Sequence, residues 1–537
     1  MLTPLETLQL YESHDGTIAG VLASRARTDQ SRPFLLFEDV AWTWGELQDF
    51  SISASRMLVS RGIGKGDRVA IMSTNSDLFV ALFTAIARIG AIMVPVNPDF
   101  TAGEAAYVLK HAGVSAVACT PATLKVARAA AREVAPVPWL MLLDGAAEGL
   151  PNLRDLAAAA PETPLPADIT AEDTCLIVYT SGTTGFPKGA MHSQRALVLT
   201  GEGFVERLRL QPTDRLLCIL PLFHINAIFY SLCGALAAGA SLVLTPRFSA
   251  SGFWPLIKKS GATQVNIIAA VGSILARRPR SELVPGHGLQ KLYGSGTPED
   301  VYKVFETEFG VTQLVEGYGM TEVPGACNTS IVDGRRAGSM GKAARHPDPD
   351  MPFAELRVVD DDGNDVAPGV VGELIVRIPT VMQGYYRDPE QTAAAFRDGW
   401  FLTGDLVRRD DDGFHYFVSR KKDIIRRRGE NVSGAEIDRI VGQHPGVAEA
   451  AALAVPSDLG EDEILVAVIA ASGASPAASE IAAWCAQRLA PAKVPRYIAY
   501  VESLPHTPTH RVAKYQLDKA ALLAAAIDLQ APAPKAT

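Results

Sequence analysis

The stretch that decides the fold runs from Val178 to Ala190 and is VYTSGTTGFPKGA. It continues the run TCLIVY, whose β-branched and aromatic residues are typical of a buried strand. The loop offers three glycines, four side-chain hydroxyls and Lys188, and a polyphosphate needs open backbone N–H groups, polar donors and a countercharge. It is not a Walker A motif, because only two residues separate Gly182 from Gly185. The alternative interpretation is a flexible Gly/Thr turn.

Outward from this loop, short β-branched runs alternate with Ala/Leu-rich helical stretches. The strand-like runs are Asp67–Met72, Ala91–Val96, Thr174–Tyr179 and Ala240–Leu244. This alternation predicts an α/β fold in layers with parallel strands. Around Pro352 the pattern changes, because the turn signals DDGN and APG separate strand-like runs, and we expect an antiparallel β-rich subdomain there. Beyond it, helix and strand alternate again, and the tail LQAPAPKAT is expected to be disordered.

Size, charge and cysteine content limit the class of protein. At roughly 150 residues per domain, the 537 residues predict three or four domain-sized units. The net charge of -9 excludes a general attraction for nucleic acid or an anionic membrane. Six scattered cysteines without paired spacing predict buried thiols in a reducing compartment. Because the N-terminus lacks the basic segment of an export signal and the end KAT differs from SKL, we expect a cytoplasmic location.

One segment has the length of a membrane span. From Ile225 to Leu244, 20 residues carry no charge, which meets the length criterion for crossing a bilayer. Polar and small residues interrupt it, namely Asn226, Ser231, Gly234, Gly239 and Ser241. Its second half, AAGASLVL, is typical of a helix end, a glycine turn and a short buried strand. We therefore predict a helix, a turn and a strand of a globular core.

Five further motifs follow the glycine loop in a fixed order. They are PLFH at 221–224, YGSGTPE at 293–299, EGYGMTE at 316–322, WFLTGD at 400–405 and SRKKDIIRRRGENVSGAEID at 419–438. The loop TSGTTGFPKG and this series resemble the adenylate-forming superfamily, which contains acyl-CoA synthetases, aryl-CoA ligases, luciferases and peptide-synthetase adenylation domains. The resemblance covers almost the whole chain, and chance agreement of six ordered motifs is negligible.

The resemblance implies a large N-terminal domain of layered α/β subdomains and a small, mobile α+β lid. The implied boundaries are 1–417 for the AMP-binding domain, with its β-rich subdomain at about 350–417, then 418–423 for the hinge, 424–528 for the C-terminal lid domain and 529–537 for a disordered tail. The lid is implied to rotate between two half-reactions, with Lys422 at the hinge position.

The resemblance also implies a site for ATP and Mg²⁺. Tyr318 would stack on the adenine while Gly317 and Gly319 let the backbone approach it, and the alternative is a core tyrosine in a glycine turn. Asp405 would accept from both ribose hydroxyls, and Arg420 would donate to the same sugar. Glu322 and Thr184 would hold Mg²⁺, which takes hard oxygen ligands. The other implied ATP-binding residues are Thr180, Ser181, Gly182, Thr183, Gly296 and Thr321.

The implied reaction has two steps. A substrate carboxylate attacks the α-phosphorus of ATP and expels pyrophosphate, and the thiol of coenzyme A then attacks the acyl-adenylate and releases AMP. Because the carboxylate is already a nucleophile, catalysis needs positioning and charge neutralisation rather than a general base. Lys188 is an implied catalytic cation, and Gly429, Glu430 and Asn431 are implied to line the coenzyme A tunnel.

The acyl pocket is partly readable at PLFH. Peptide-synthetase domains carry an aspartate after the phenylalanine to pair with an amino acid's ammonium group, whereas this chain has His224. His224 resembles the residue that gates the carboxylate pocket in acyl- and aryl-CoA ligases, and a core histidine is the alternative. The implied pocket residues are Phe223, His224, Asn266, Gly294, Ser295 and Gly319. The predicted wall, 265–273, is small and apolar apart from Asn266, which favours an uncharged acyl group.

One position departs from the superfamily. Its C-terminal signature is LPxTxxGKxxK, but residues 504–514 are LPHTPTHRVAK, so Arg511 stands where the catalytic lysine is expected and His510 replaces the glycine. Arginine keeps the charge but has a planar fork instead of a compact ammonium group. We hypothesise that Arg511 or Lys514 supplies the cation for adenylation.

A basic cluster of six cations within 420–428 is open to two interpretations. Such a run can bind nucleic acid, but the acidic chain favours the phosphates of ATP and coenzyme A as its targets. The leading function is an acid–CoA ligase that acts on a small-molecule carboxylic acid of unspecified chain length, as a monomer or homodimer. A stand-alone adenylation enzyme that loads a carrier protein and a non-catalytic binding protein are the alternatives.

Overall fold

The structure is a computed structural model that describes residues 1–147, 149–180, 187–427, 430–456, 462–489, 491–506 and 512–530. The described residues form two compact units. The first unit comprises 1–180, 187–356 and 376–401, and the second comprises the described parts of 357–375 and 402–537. The predicted domain boundaries at residues 417 and 423 stay predictions.

The helices begin at recognisable caps. Thr3, Thr43 and Thr101 each form a capping box with a glutamate three residues on, which satisfies two orphan backbone donors. The helices are α1 Pro4–Gln9, α2 Ile18–Asp29, α3 Trp44–Ser60, α4 Asp77–Arg88, α5 Ala102–Ala112, α6 Leu124–Ala131, α7 Leu153–Ala158, α8 Gln194–Leu208, a π-helix Asn226–Leu232, α9 Cys233–Ala238, α10 Phe253–Ser260, α11 Ala269–Arg277, α12 Glu299–Thr307, α13 Pro389–Ala395, α14 Gly434–Gly442, α15 Ala478–Ala486 and α16 Lys519–Ala525.

The strands alternate with these helices through most of the first unit. The strands are β1 Pro33–Phe37, β2 Val40–Thr43, β3 Arg68–Met72, β4 Ile92–Val96, β5 Ala116–Cys119, β6 Trp139–Leu142, β7 Thr174–Thr180, β8 Lys188–Ser193, β9 Arg215–Cys218, β10 Ser241–Leu244, β11 Gln264–Asn266, β12 Lys291–Gly294, β13 Gln313–Tyr318, β14 Cys327–Asn328, β15 Lys342–Ala343, β16 Glu355–Val359, β17 Val371–Arg377, β18 Gly384–Tyr385, β19 Phe396–Arg397, β20 Trp400–Arg409, β21 His415–Arg420, β22 Ile424–Arg427, β23 Glu430–Ser433, β24 Val447–Pro456, β25 Asp462–Ala470, β26 Tyr497–Tyr500 and β27 Ile527–Asp528.

Two large sheets build the first unit. The nine-stranded sheet has the order β15-β14-β13-β12-β11-β9-β10-β1-β2, and its strands from β13 to β1 are parallel. The seven-stranded sheet has the order β18-β8-β7-β4-β3-β5-β6, with parallel pairs from β7 to β6. Both sheets have antiparallel edges. The predicted α/β fold with parallel strands is confirmed, and each predicted strand agrees with an observed one to within one residue at either end.

Helix α4 lies in the core of this unit. Every residue of α4 except Arg88 is buried, and one apolar cluster joins it to side chains of both sheets, such as Ile71 and Leu242. A second cluster, which includes Val94 and Val117, covers the other face of the seven-stranded sheet beneath α5 and α6. Strands buried on both faces by helices are the arrangement expected of parallel sheets.

The uncharged segment 225–244 is not a single long helix. It consists of the π-helix, α9, a left-handed turn at Gly239 and strand β10, which confirms the predicted helix, turn and strand. Within the described residues, no helix has both the length and the apolarity needed to cross a membrane. All six cysteines are buried free thiols, as predicted.

Three smaller sheets contain the strands of the second unit, and strand β19 of one of them belongs to the first unit. A five-stranded sheet has the order β16-β17-β20-β19, with β21 paired to β20, and β22 forms a hairpin with β23. Strands β24 to β27 form a four-stranded sheet in chain order. Its apolar face packs against α14 and α15 through Val466, Ile437 and Ile481.

Candidate active site

Adjacent parallel strands of the first unit end at the predicted motifs. Asn266 is the last residue of β11, Gly294 of β12 and Tyr318 of β13, and the register pairs Asn266 with Tyr293 and Gly294 with Glu316. In open α/β sheets, ligands bind in the crevice outside the carboxyl ends of the strands. The structure therefore brings the motifs YGSGTPE and EGYGMTE together with Asn266 at one edge of the nine-stranded sheet.

Three glycines at this edge are required by the packing of the protein itself. A Cβ at Gly294 would lie 2.1 Å from the Tyr302 hydroxyl, and one at Gly317 would lie 2.0 Å from the Tyr293 hydroxyl. A Cβ at Gly319 would lie 2.7 Å from a backbone nitrogen. These distances are too short for any side chain, so the glycines let tyrosine hydroxyls pack against the strands.

Glu316 is a buried carboxylate that the sequence did not single out. It accepts from the Gly296 N–H at 2.6 Å, the Thr297 N–H at 3.4 Å and the Tyr302 hydroxyl at 2.5 Å. Burial raises its pKa to about 7, and these donors limit the rise. Its carboxylate therefore fixes the loop at Gly296, whose φ of +64° favours glycine.

Glu322 is buried and accepts from the Tyr385 hydroxyl at 2.8 Å. Its backbone oxygen also accepts from the N–H of Met382 at 2.8 Å. Burial raises the pKa of Tyr385, and Glu322 adds to that rise. No group of three or more His, Cys, Asp or Glu side chains in the described residues could hold a metal ion. A single carboxylate still suits Mg²⁺, which takes the rest of its shell from phosphates and water.

Thr321 is held by a buried histidine that the sequence also did not single out. His192 on β8 is fully buried, and its Nε2 lies 2.8 Å from the Thr321 carbonyl oxygen. Burial lowers the pKa of His192 to about 4, so the ring is neutral at pH 7. A neutral ring that donates from Nε2 fixes the backbone beside Glu322.

Lys188 begins β8, next to the glycine loop. Its Nζ donates to Gln391 Oε1 at 2.6 Å and lies 5.1 Å from the centre of the Tyr385 ring. Thr180, half-buried, ends β7 and pairs with Lys188. The predicted phosphate-binding residues Ser181, Gly182, Thr183 and Thr184 lie outside the described residues.

The predicted pocket residues divide by burial. Phe223 and His224 are half-buried, with ring centres 4.6 Å apart, and Ser295 is also half-buried. Asn266 is buried within an amide network, because its Nδ2 donates to Asn226 Oδ1 at 2.9 Å and its Oδ1 accepts from Gln264. Asn266 thus lies beneath the crevice.

In the second unit, the two predicted ribose contacts are paired. Asp405 on β20 lies opposite Arg420 on β21, and Arg420 Nε is 2.7 Å from Asp405 Oδ1. Asp405 is completely buried, while Arg420 is partly exposed. The pairing holds a carboxylate and a guanidinium together at adjacent strands.

Three cations of the basic cluster, Arg420, Lys421 and Arg427, are paired with carboxylates of the second unit. Lys421 lies 2.9 Å from Asp361 and 3.0 Å from Glu373, which raises its pKa. Arg427 is buried and lies 2.8 Å from Glu463. The backbone places Lys422 in a short 3₁₀ helix and Glu430 and Asn431 on β23, and Gly429 lies outside the described residues.

Lys514 is engaged by α14. Its Nζ lies 2.6 Å from Asp438 Oδ2. Burial raises the pKa of Asp438, and Lys514 opposes that rise. Arg511 and His510 lie outside the described residues.

Comparison with known proteins agrees with this geometry. Residues 22–386 match the family described as AMP-binding enzyme, and residues 436–511 match the AMP-binding enzyme C-terminal domain. The chain is 33% identical to a sulfoacetate–CoA ligase of Cupriavidus necator over 93% of this chain and 97% of that protein. It is 31% identical to a long-chain-fatty-acid–CoA ligase of Mycobacterium tuberculosis, over 89% of this chain and 92% of that protein.

Solved structures are similar over nearly the full length. ATP-bound MatB from Rhodopseudomonas palustris superposes with a TM-score of 0.81 at 28% identity, covering 92% of this chain and 97% of MatB. The anthranilate CoA ligase AuaEII, solved with anthranoyl-AMP, gives a TM-score of 0.84 at 26% identity and covers 96% and 98%. The predicted resemblance and fold class are confirmed, and the chain belongs to the AMP-binding enzyme family as an acid–thiol ligase.

Proposed function

We propose that this chain is an AMP-forming ligase that joins a small carboxylic acid to coenzyme A at the expense of ATP. The observation that carries the proposal is the convergence of two family motifs at the carboxyl ends of β12 and β13. The similarity to CoA ligases over about nine tenths of the chain supports coenzyme A as the acceptor. A carrier-protein acceptor is the second candidate, and a non-catalytic binding role is the least supported.

The first half-reaction would use the residues that the family motifs imply. Tyr318 would pack on the adenine and the backbone at Gly296 would approach the nucleotide, together with Thr180 and the undescribed residues 181–184. Asp405, a buried acceptor, suits the ribose hydroxyls, and Arg420 would donate to the same sugar. These residues position the α-phosphorus for attack by a carboxylate, which requires no general base.

Glu322 would hold Mg²⁺ together with Thr184, because a carboxylate that accepts from the neutral Tyr385 hydroxyl still offers oxygen atoms to a cation. When bound, the ion would neutralise charge on the phosphates of ATP. Lys188 lies at the base of the glycine loop and would add a positive charge there. His224, half-buried at the start of the π-helix, would gate the acid's carboxylate.

The cation for adenylation is better assigned to Arg511 than to Lys514. Lys514 already lies 2.6 Å from Asp438, and removing it from that carboxylate would leave Asp438 without its cation. Arg511 stands at the family position of the catalytic lysine. An arginine can bridge the substrate carboxylate and the α-phosphate through two N–H groups.

The second half-reaction would bring coenzyme A to the same site. Gly429, Glu430 and Asn431 would line its tunnel, and rotation of a lid domain at 424–528 about Lys422 would admit it. The six free thiols support a cytoplasmic location. Action as a monomer or a homodimer is equally compatible with this scheme.

A pyrophosphate-release assay tests the proposal. The purified chain is given ATP, Mg²⁺ and a panel of carboxylic acids, with coenzyme A, a carrier protein or neither as acceptor, and the acyl product is identified by mass spectrometry. We expect acid-dependent pyrophosphate release and an acyl-CoA thioester. Acylation of the carrier alone would favour the second candidate, and no release with any acid would refute the ligase.

The cation assignment has its own test. Arg511→Ala should slow acyl-AMP formation by about 10²–10³-fold, as expected for loss of one electrostatic contact in a transition state. Lys514→Ala should slow it by less than about 10-fold. Single-turnover measurements separate acyl-AMP formation from thioester formation, and an equal loss in both variants would contradict the assignment.

A further inference from the structure

A chain of polar side chains runs beneath the carboxyl end of β11. The Cys218 thiol donates to the backbone oxygen of Leu220 at 3.5 Å, and the Ser231 hydroxyl opposes the rise that burial causes in the pKa of that thiol. Asn266 Nδ2 lies 3.1 Å from Ser231 Oγ and 2.9 Å from Asn226 Oδ1. The amide of Asn266 therefore links Ser231 and Asn226, which both lie in the π-helix.

The hydrogen bonds of the Asn266 amide group share one direction. Ser231 Oγ accepts from one N–H of Asn266. The second N–H of Asn266 is directed at Asn226, which therefore presents its oxygen inward.

The opposite end of Asn266 agrees with this direction. Its Oδ1 accepts from Gln264 Nε2 at 2.6 Å. A rotated Asn266 amide would place its NH₂ group against the NH₂ group of Gln264 and its oxygen against Asn226 Oδ1. Both contacts would be repulsive, so the placed orientations of Gln264 and Asn226 favour the observed orientation of the Asn266 amide.

The amide nitrogen of Asn226 is left facing away from the chain. Among the described residues, no group accepts from Asn226 Nδ2, and the residue is half-buried. Asn226 lies two residues after His224 and contacts the last residue of β11, at the sheet edge where α/β proteins bind ligands. π-Helices, such as the one that Asn226 begins, are frequent at functional sites. The molecule thus offers an oriented pair of N–H donors beside the predicted acyl pocket.

We infer that Asn226 determines substrate specificity by donating to an uncharged oxygen on the acyl group, such as a keto, hydroxyl or amide oxygen. The inference rests on the proposed ligase function and narrows its substrate class. An uncharged acceptor fits because the chain consists of Cys218, Ser231, Gln264, Asn226 and Asn266, which carry no charge at neutral pH. A hydrocarbon group in the same place would displace water from the Asn226 amide without accepting a hydrogen bond from it. An acid with such a group should therefore be the poorer substrate.

Pairs of acids with the same shape test the inference. Suitable pairs are 4-oxopentanoate with 4-methylpentanoate, 3-hydroxybutyrate with 3-methylbutyrate, and 4-hydroxybenzoate with 4-methylbenzoate. The readout is the ratio of kcat/KM for pyrophosphate release within each pair. In the unmodified chain, the oxygenated acid of the best-accepted pair should be favoured by about 10- to 100-fold.

Three variants connect this preference to Asn226. Asn226→Leu should lower the ratio at least 10-fold and raise kcat/KM for the methyl acid, which also shows that the variant folds. Asn226→Asp should disfavour the keto acid 4-oxopentanoate, because a carboxylate oxygen replaces the donor and a keto oxygen can only accept. Ser231→Ala should lower the ratio by a smaller factor, about 3-fold, because the Asn266 amide loses one of its anchors.

The outcomes separate this inference from the function on which it rests. If none of the tested acids supports pyrophosphate release, the proposed ligase function is wrong, and this inference is wrong with it. Three other outcomes overturn the role of Asn226 and leave the ligase function intact. They are a similar kcat/KM for both members of every pair, a preference for dicarboxylic acids, and a kcat/KM ratio that does not change in Asn226→Leu.

Discussion

Two carboxylates near the carboxyl end of β13, Glu316 and Glu322, differ from two carboxylates of the second unit, Asp438 and Glu463, in the groups that they contact. Among the described residues, the donors to Glu316 and Glu322 are neutral groups, namely backbone N–H groups and tyrosine hydroxyls. Asp438 and Glu463 in the second unit each lie against a lysine or an arginine. A carboxylate held by neutral donors keeps its charge available for a ligand or takes up a proton. A carboxylate paired with a cation has its charge already compensated, and it suits a structural role.

The largest effect is expected at the buried pair of Arg427 and Glu463, whose side chains are 3% and 8% exposed. Glu463→Gln removes a carboxylate charge that lies 2.8 Å from the buried guanidinium, and the cost in unfolding free energy should be roughly 3–5 kcal/mol. Hydrogen exchange of peptides from β24 and β25, followed by mass spectrometry, measures it.

The matched control removes both charges. The double variant Arg427→Met with Glu463→Leu should recover most of the stability, because no unpaired charge remains buried. If Glu463→Gln is as well protected from hydrogen exchange as the unmodified chain, the ion pair contributes nothing to stability. The proposed difference between carboxylates paired with cations and carboxylates held by neutral donors would then be wrong.

The second effect is a pH dependence from Glu316. Its folded pKa of about 7 exceeds the ordinary value of 4.5, so the folded chain binds the proton more tightly than the unfolded chain. Stability is therefore greatest below about pH 4.5 for this group and falls as pH rises through about 7, by roughly 3 kcal/mol in all. Urea unfolding across this window should show the slope.

Two variants separate Glu316 from other acids. Glu316→Gln should remove the falling slope. Glu299→Gln should keep it, because Arg335 lowers the pKa of Glu299 and that group contributes with the opposite sign. A slope that persists in Glu316→Gln would place the titration elsewhere.

The third effect concerns Glu322 as a metal ligand. Glu322→Gln can still accept from the Tyr385 hydroxyl but loses the negative charge, so kcat/KM should fall about 10²-fold and the Mg²⁺ concentration for half-maximal rate should rise at least 10-fold. Tyr385→Phe keeps the charge and should change both values by less than about 10-fold. An unchanged Mg²⁺ requirement in Glu322→Gln would exclude the role.

Much of the fold could be predicted from local patterns. Buried parallel strands require continuous apolar runs, so TCLIVY and DRVAIM could be recognised without any partner. The turn at Gly239 could also be predicted locally, because a residue in the left-handed conformation after a helix is usually glycine. The six motifs likewise identified the family, since their order can be read from the sequence alone.

The site was only partly predictable, because its contacts join residues far apart in sequence. Tyr385 and Glu322 are 63 positions apart, and Asn226 and Asn266 are 40 positions apart. A tyrosine after MQG or an asparagine in an apolar segment gives no local signal of such a partner. Glu316 lay within a recognised motif, yet its proton affinity depends on burial that the motif does not specify.

The sequence by itself determined the family, the order of its motifs and the positions of the parallel strands, because these follow from residue type and spacing along one chain. Only the tertiary structure decided which charges are already paired, as with Lys514 and Asp438, and which donors remain available, as with Asn226. Pairing and desolvation depend on distances in space, and those arise only when the sheets and helices pack.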